Sequence, residues 1–337
     1  MFVQGRSQTS CEHDVGSGMS VLEKSAVTNR VLKRYGDYVE DLRIFAGKPL
    51  LEQRSADQVD AKLVEYMTQI YEQGASSSHG GYILAAWQAI FPQYGRYGNL
   101  SLPRAHRALQ GWRKQRPSLS RPPHAWPVVA GMAVRAAQRH STLMAKWILV
   151  SFSSYTRPGE SLTLRGQDFV APVAGIRYWS LLIKAQDLLV AGKTGEFDDS
   201  VVWDSPALKF LEKDFARWQR LGAAIPWTFG YNEVLATVKQ CALDLQVIGF
   251  TPYSLRHSGA SHDTIHKIRS LQEVQKRGRW RAHRSVTRYE KGGRVGAEYV
   301  KIPRESRQWL ELCAANLEHY LAAPRRAPLP PGLGRLD

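Results

Sequence analysis

A basic segment rich in proline and serine divides this chain into two parts. Residues 113–123 read RKQRPSLSRPP, a composition typical of an extended linker. At 337 residues the chain is long enough for two domains, each with its own core. The segment therefore predicts two domains on either side of it. Two interpretations of its positive charge stay open: it lies against a duplex so that the protein closes around DNA, or it is simply solvated.

The part before the linker carries a helical pattern. Apolar residues recur at three- and four-residue steps, which indicates a helix with one buried stripe; they are Val59, Leu63, Val64, Met67, Ile70 and Tyr71. Residues 82–91 predict a second, more buried helix, with glycines before it and a proline after it. No strand signal precedes residue 120. Residues 21–112 therefore predict an all-helical domain, after a polar N-terminus over residues 1–20 that we expect to be disordered.

The part after the linker, residues 124–325, mixes helices and strands. Helical patterns cover residues 130–154, 206–221, 233–246 and 254–267, and strand-like patterns cover residues 175–190 and 200–203. The expected fold class is mainly α with a small antiparallel β-sheet, an α+β domain. An amphipathic helix within residues 296–321 is expected to dock into a neighbouring protomer in preference to packing on its own domain. The Pro/Arg-rich tail, residues 326–337, is expected to be disordered.

The charge of the chain indicates a polyanionic partner. The formal net charge is +16, and no Asp or Glu occurs between Glu72 and Glu160. Solvated faces normally mix both signs, so a basic run of this length favours nucleic acid. A membrane surface is disfavoured because no apolar run approaches transmembrane length and neither end carries a basic amphipathic anchor. A second acid-free run lies between Lys276 and Tyr289.

Cysteine usage and the N-terminus favour an intracellular protein. Cys11, Cys241 and Cys313 are scattered, odd in number and not spaced as metal ligands. The first residues lack the apolar core of a secretory signal. We expect reduced thiols and a location with DNA, in a bacterial cytoplasm or a eukaryotic nucleus. No cofactor and no metal site are expected.

Four separated motifs carry the candidate chemistry. In chain order they are SSYTRPGESLTL with Arg157 and Glu160; Lys193 in a polar turn between two strand-like segments; TPYSLRHSGAS with Arg256; and RGRWRAHRSVTRYEK with Trp280 and Tyr289. Together they resemble the tyrosine recombinase (phage integrase) family over about residues 123–291. The order is that of the family, and the spacing from Gly278 through Trp280 to Tyr289 keeps its G-(H/W)-x8-Y pattern. The helical N-terminal part is similar in composition to the family's core-binding domain.

The resemblance implies a role for each of these residues. Tyr289 would attack a DNA phosphate, and Arg157 and Arg256 would stabilise its non-bridging oxygens with fixed, always-charged donor forks. Lys193 would protonate the departing 5′ oxygen. Trp280 would donate its indole N–H to a phosphate oxygen and pack beside the nucleophile.

Three assignments leave alternatives open. Lys184 competes with Lys193 for the role of acid, and Glu160 is either a structural residue or one that orients Arg157. The family commonly has histidine, as proton acceptor, where this chain has Tyr253. The Tyr253 phenol can donate a hydrogen bond to a phosphate, but its unperturbed pKa of ~10 makes it a poor base at neutral pH. His257, one helical turn on, either compensates or is a buried structural histidine.

The sequence thus predicts a site-specific DNA recombinase or integrase acting through a 3′-phosphotyrosine without metal or ATP. Double-stranded DNA is the expected partner, and the resemblance implies four protomers on two DNA sites. The alternatives are a catalytically inactive DNA-binding relative and a type IB topoisomerase-like enzyme. Seven basic residues are expected to contact DNA: Arg113, Lys114, Arg116, Arg121, Arg277, Arg279 and Arg281.

Overall fold

The computed structural model describes residues 19–47, 54–117, 122–183, 199–290 and 292–333. The chain forms two compact units, residues 1–120 and 121–337. The helix before the boundary runs over Pro103–Gln115, so the linker expected from residue 113 is helical through Gln115. The helix ends where Arg116 takes a non-helical conformation, because the next residue is Pro117 and the residue before a proline is driven out of the α region.

The described part of the first unit is helical, and no residue in it is a strand residue. Its helices are α1 Val21–Ser25, α2 Asn29–Ala46, α3 Ala56–Glu72, α4 Ser77–Ile90 and α5 Pro103–Gln115. Ser55 and Gln58 form a capping box that starts α3, and the predicted stripe on α3 buries Val59, Leu63 and Met67. The core lies where α2 packs on α4 and α3 packs on α5.

Helix α4 begins earlier than its glycines predict. It starts at Ser77, so Gly80 and Gly81 lie inside the helix instead of before it. A Cβ atom at Gly80 would come within 2.8 Å of the Trp112 ring on α5. Gly80 therefore permits close packing of two helices and does not mark a helix end.

The second unit has ten helices in its described residues, with a three-stranded sheet after the third. They are α6 Trp126–Arg139, α7 Thr142–Ser154, α8 Pro158–Ser161, α9 Glu212–Gln219, α10 Tyr231–Asp244, α11 Ser254–Ile265, α12 Leu271–Arg277, α13 Gly292–Val300, α14 Arg304–Ala315 and α15 Leu317–Ala322. Further short helical segments are of 3-10 type, including Pro206–Leu211 and Thr287–Glu290. The expected helix over residues 130–154 is in fact two helices, which break between Arg139 and Thr142.

The sheet is small and antiparallel. Its strands are β1 Phe169–Val170, β2 Trp179–Ile183 and β3 Asp199–Trp203, in the order β1-β2-β3. Leu181 pairs with Val201, and both side chains point into the core. The mainly α class with a small antiparallel sheet is thus confirmed. The two-residue β1 was not predicted because it is too short to show alternation.

The C-terminal helices pack on their own domain, so the expectation that they dock into a neighbouring protomer is wrong. Trp309 and Leu310 of α14 lie over Gly131 of α6, where an added Cβ would be 2.2 Å from a Leu310 methyl carbon. Cys313 is also fully buried in this core. The glycine lets the two helices approach, and the domain buries Trp309, Leu310, Cys313 and Leu317 of the apolar stripe, whereas Leu312 is exposed.

The expectation of a disordered tail from residue 326 also needs correction. The structure describes the chain to residue 333, and Ala327 is buried in the core. The Trp309 indole N–H donates to the Pro328 carbonyl over 2.9 Å. Prolines suit this segment because it packs without forming regular secondary structure.

Among the helices that the structure describes, none combines the length and apolar character needed to cross a lipid bilayer.

Candidate active site

Tyr289 lies on the 3-10 turn Thr287–Glu290, which contacts α11. Its side chain is buried among Tyr155, Ala260, Val274 and Val286, and only 2% of the residue is exposed. Burial raises the pKa of the Tyr289 hydroxyl above its usual range, and nearby Arg256 opposes this shift without cancelling it. The hydroxyl is therefore protonated at neutral pH, so it can attack only if another group takes its proton.

His257 is in position to take that proton. Its Nδ1 lies 2.6 Å from the Tyr289 hydroxyl oxygen, well within hydrogen-bond distance. Tyr253, one turn earlier at the start of α11, packs edge-on against the His257 ring with centroids 5.0 Å apart. Tyr253, which stands where the family commonly has histidine, thus packs against His257, and the His257 imidazole contacts the Tyr289 hydroxyl.

Trp280 reaches the site through a tight turn after α12. A Cβ at Gly278 would lie 1.7 Å from the Trp280 ring, so only glycine lets the indole fold back over the helix end. Arg279 takes a left-handed conformation with φ 54° to complete the turn. The indole then lies 5.0 Å from the Tyr289 ring and 4.4 Å from the Arg256 guanidinium carbon. This explains physically why glycine stands two residues before tryptophan in the motif.

Arg256 is completely buried. Its Nη1 donates to the Tyr155 carbonyl over 2.5 Å, and its Nη2 donates to the Gly278 carbonyl. Burial, together with the like charges of Arg279 and Arg157, lowers the pKa of Arg256 to about 10, and Glu160 opposes the shift. The guanidinium remains charged at neutral pH. The Nη1 and Nη2 hydrogens that donate to these two carbonyls cannot at the same time donate to a phosphate.

Glu160 joins three arginines. It accepts from the Arg157 side chain, from the Arg157 backbone N–H over 2.8 Å, and from Arg279 Nη2 over 2.7 Å. Arg256 Nη1 lies 4.0 Å away. Burial alone would raise the pKa of Glu160, but Arg279 and Arg157 outweigh it and hold the pKa below its usual range. The carboxylate is therefore ionised and holds the predicted phosphate-binding arginines together.

Tyr155 and its partners were missed by sequence reasoning. Tyr155 ends α7 in a left-handed conformation with φ 50°, an unfavourable state for a bulky residue. The conformation turns its carbonyl toward Arg256, while its hydroxyl donates to the Asp263 carboxylate. Arg269 joins Asp263 to Asp204, the residue after β3. No motif marks these residues, because the network joins positions more than a hundred residues apart.

The predicted DNA-contacting residues differ in how far their side chains are exposed. Arg113, Lys114 and Arg281 are exposed. Arg116 instead donates to the Tyr71 carbonyl over 2.6 Å and lies over the Tyr71 ring. Arg121 lies outside the described residues.

The two arginines at the end of α12 are also engaged within the domain. Arg277 donates to the Ser153 and Val202 carbonyls, and only 7% of its side chain is exposed. Arg279 is 6% exposed and is held by Glu160. Both side chains thus stabilise the second unit in this structure and are not presented to a ligand.

Lys193 and its competitor Lys184 both lie outside the described residues, in the connection from β2 to β3. Strand β3 contacts the site, because Asp199 at its start lies 3.4 Å from Arg279 Nε. Asp199 also pairs with Ile183 across the sheet.

Within the ranges that the structure describes, no three His, Cys, Asp or Glu side chains are grouped as a metal-binding set. The guanidiniums of Arg256 and Arg288 place positive charge near Tyr289.

Comparison with known proteins identifies the fold. No family model and no curated protein matches the chain. A lambda integrase fragment, solved as a dimer bound to a COC′ core site, is 13% identical, with 80% of this chain and 92% of that chain covered and a TM-score of 0.54. The XerH site-specific recombinase, solved in a post-cleavage complex with a palindromic difH substrate, is 14% identical. The match covers 80% of this chain and 77% of that chain, with a TM-score of 0.49. The lambda integrase match, with its TM-score above 0.5, shows that the chain has the tyrosine recombinase fold, as its motifs predict.

Proposed function

We propose that this chain, which has the fold of tyrosine recombinases, is a DNA strand-breaking and rejoining enzyme of the site-specific recombinase type. The observation that carries the proposal is the contact between the Tyr289 hydroxyl and His257, beside an indole that stacks on Arg256. A buried phenol needs both a base and nearby positive charge to become a nucleophile, and this cluster offers both.

The reaction follows from these groups. The Tyr289 oxygen attacks a DNA phosphorus as His257 accepts the phenol proton, and the bond from phosphorus to the 5′ oxygen breaks. Arg157 and Arg256 stabilise the charge on the non-bridging oxygens. Lys193 gives a proton to the departing 5′ oxygen. The 3′-phosphotyrosine is itself a phosphodiester, in which the bond to Tyr289 replaces the bond to the 5′ oxygen, so a 5′ hydroxyl can reverse the step without ATP or metal.

The two arginines that would contact the phosphate differ in how far they are exposed. Arg157 keeps 23% of its side chain exposed, so it can meet a phosphate directly. Arg256 is buried and bonded to two carbonyls. Contact of Arg256 with a phosphate therefore requires the residues that cover its guanidinium to move.

By the same resemblance, recombination would use four protomers on two double-stranded DNA sites. Localisation with DNA inside the cell follows from this activity.

The test is covalent trapping on DNA. Incubation with nicked duplexes that lose a short fragment on cleavage should give a protein–DNA adduct on a denaturing gel. Tyr289→Phe should bind the same duplexes with unchanged affinity and give no adduct, because only the attacking oxygen is removed. Adduct at the parent level from Tyr289→Phe would refute the assignment.

A DNA-binding protein without cleavage activity is the second candidate. The observation that favours it is the fully buried Arg256, with Tyr253 at the motif place where the family has histidine. Duplex binding with no adduct from the parent protein, across the nicked duplexes tested, would support this candidate. Relaxation of supercoiled plasmid by dilute protein would instead indicate a topoisomerase.

A further inference from the structure

Tyr155 joins the end of helix α7 to helix α11, which carries Arg256. It is fully buried and takes a left-handed conformation with φ 50° and ψ 34°. This conformation is unfavourable for a bulky residue and persists only where the surrounding structure holds it in place. Strained residues of this kind cluster at functional sites. The contacts of Tyr155 therefore indicate what the strain serves.

The strained conformation directs the Tyr155 carbonyl at Arg256. This carbonyl accepts from Arg256 Nη1 over 2.5 Å, and the Gly278 carbonyl accepts from Arg256 Nη2. The two bonds fix the plane of the guanidinium, whereas its Nε–H has no hydrogen-bond partner among the described residues. A guanidinium donates in fixed directions, so the position of the Tyr155 carbonyl determines where the remaining N–H groups point.

The Tyr155 ring packs on α11 at Gly259, three residues after Arg256. A Cβ atom at Gly259 would lie 2.8 Å from the Tyr155 ring and 2.0 Å from the Phe152 carbonyl oxygen. The Arg277 guanidinium carbon lies 5.4 Å from the centroid of the same ring. The ring therefore fits only because α11 has no side chain at this position.

The Tyr155 hydroxyl is fixed at the far end of the ring. It donates to the Asp263 carboxylate on α11, which also accepts from Arg269. Arg269 in turn pairs with Asp204, the residue after strand β3. Burial raises the pKa of the Tyr155 hydroxyl well above its usual range, so the hydroxyl is protonated at neutral pH and can donate. The hydroxyl is thus held by α11 and, through Arg269, by the sheet.

We propose that Tyr155 and Asp263 are positioning residues, whose hydrogen bond holds the Tyr155 carbonyl on Arg256 and so sets where the Arg256 guanidinium meets the attacked phosphate. Tyr155 has no exposed surface, so it acts through Arg256 and not by contact with DNA. The inference deepens the proposed function, on which it rests, by naming the residues that set the geometry of one phosphate-binding arginine.

The test is single-turnover adduct formation on a nicked duplex by the full chain carrying Tyr155→Phe. The change removes the hydroxyl and keeps the ring that packs on Gly259. A misplacement of about 1 Å can cost about 10²-fold in rate, so the rate should fall by roughly 10²-fold while duplex affinity stays at the parent value.

Tyr299→Phe is the matched control. It also removes a tyrosine hydroxyl that donates to a carboxylate, that of Glu311, over 2.9 Å between α13 and α14. This hydrogen bond does not involve Arg256 or its carbonyl partners, so the control should form adduct at the parent rate.

A methylphosphonate at the attacked position separates an effect on Arg256 from a general loss of structure. A methyl group there replaces one charged oxygen, so the transition state carries one negative charge fewer for the arginines to stabilise. The rate deficit of Tyr155→Phe should therefore shrink to about threefold or less on this substrate. A variant that is only less well folded would be equally impaired on both substrates.

Asp263→Asn and Asp263→Ala form a second pair of variants. Both remove the charge that faces Arg269, but asparagine keeps an oxygen that can accept from the Tyr155 hydroxyl. Both variants should unfold at lower urea concentration than the parent. Only Asp263→Ala should lose adduct formation to the extent of Tyr155→Phe.

Three results would overturn the inference and leave the proposed function standing. They are the parent rate for Tyr155→Phe on the ordinary duplex, equal impairment of Tyr155→Phe on both substrates, and an equal loss of rate in Asp263→Asn and Asp263→Ala. Absence of adduct from the parent protein would overturn the proposed function, and the inference with it.

Discussion

Replacing His257 with glutamine separates hydrogen bonding from proton transfer at the nucleophile. A glutamine side chain can still accept a hydrogen bond from the Tyr289 hydroxyl, but it cannot carry the proton away. An ordinary phenol with a pKa near ~10 is ionised to about one part in 300 at pH 7.5. Burial raises the pKa of Tyr289 further, so the ionised fraction without a base is smaller still.

General-base catalysis contributes about 10²- to 10⁴-fold to rate. We therefore expect His257→Gln to slow adduct formation by about 10³-fold, equivalent to about 4 kcal/mol of barrier. The pH dependence should also change. Because the pKa of Tyr289 is raised, the phenolate population grows about tenfold per pH unit across the working range. The variant's rate should follow that slope, while the parent's rate should depend less steeply on pH above neutrality.

The assay is single-turnover adduct formation on a nicked duplex, with DNA affinity measured separately. Tyr253→Phe is the control, since it keeps the edge contact with the His257 ring and removes only the second hydroxyl. It should stay within about threefold of the parent rate. Parent rate and parent pH profile in His257→Gln would refute the base assignment, and a large loss in Tyr253→Phe alone would transfer the role to Tyr253.

Three further outcomes are expected. The Lys193→Ala substitution should cripple cleavage of ordinary DNA, whereas the variant should cleave a substrate with a 5′-bridging sulfur at close to the parent rate. The reason is that a thiolate (unperturbed thiol pKa ~8.5) leaves without being protonated. Equal impairment on both substrates would move the assignment to Lys184. Glu160→Gln should lower the free energy of unfolding, measured by urea denaturation, by about 3 kcal/mol, because the change leaves a cluster of guanidiniums without their counter-charge. An unchanged urea midpoint would show that the arginines do not depend on the Glu160 charge. Cleavage should persist in excess chelator, and loss that magnesium restores would indicate a different nuclease chemistry.

The predictions that succeeded rest on local or ordered signals. The stripe on α3 follows from spacing alone, since residues three and four apart share a helix face. The fold followed from the order of four motifs, each weak by itself. Three residues of these motifs, Arg256, Trp280 and Tyr289, lie together in one cluster.

The first errors concern glycine and proline, whose roles depend on their neighbours. Gly80 and Gly81 lie within α4, because Gly80 allows contact with Trp112. The tail after residue 326 packs against Trp309, although its composition suggests disorder. A local pattern cannot reveal a partner that lies far away along the chain.

By itself the sequence determined the helical first unit, the mixed second unit with its small sheet, and the residue types of the candidate site. Only the tertiary structure decided which charged side chains are buried and which are exposed. Arg277 and Arg281 look alike in one basic run, yet Arg277 is buried on two backbone carbonyls and Arg281 is exposed. Tyr155 looks ordinary, yet its carbonyl holds Arg256. The physical reason is that an ion pair or a buried hydrogen bond depends on distance in space, and folding sets that distance independently of separation along the chain.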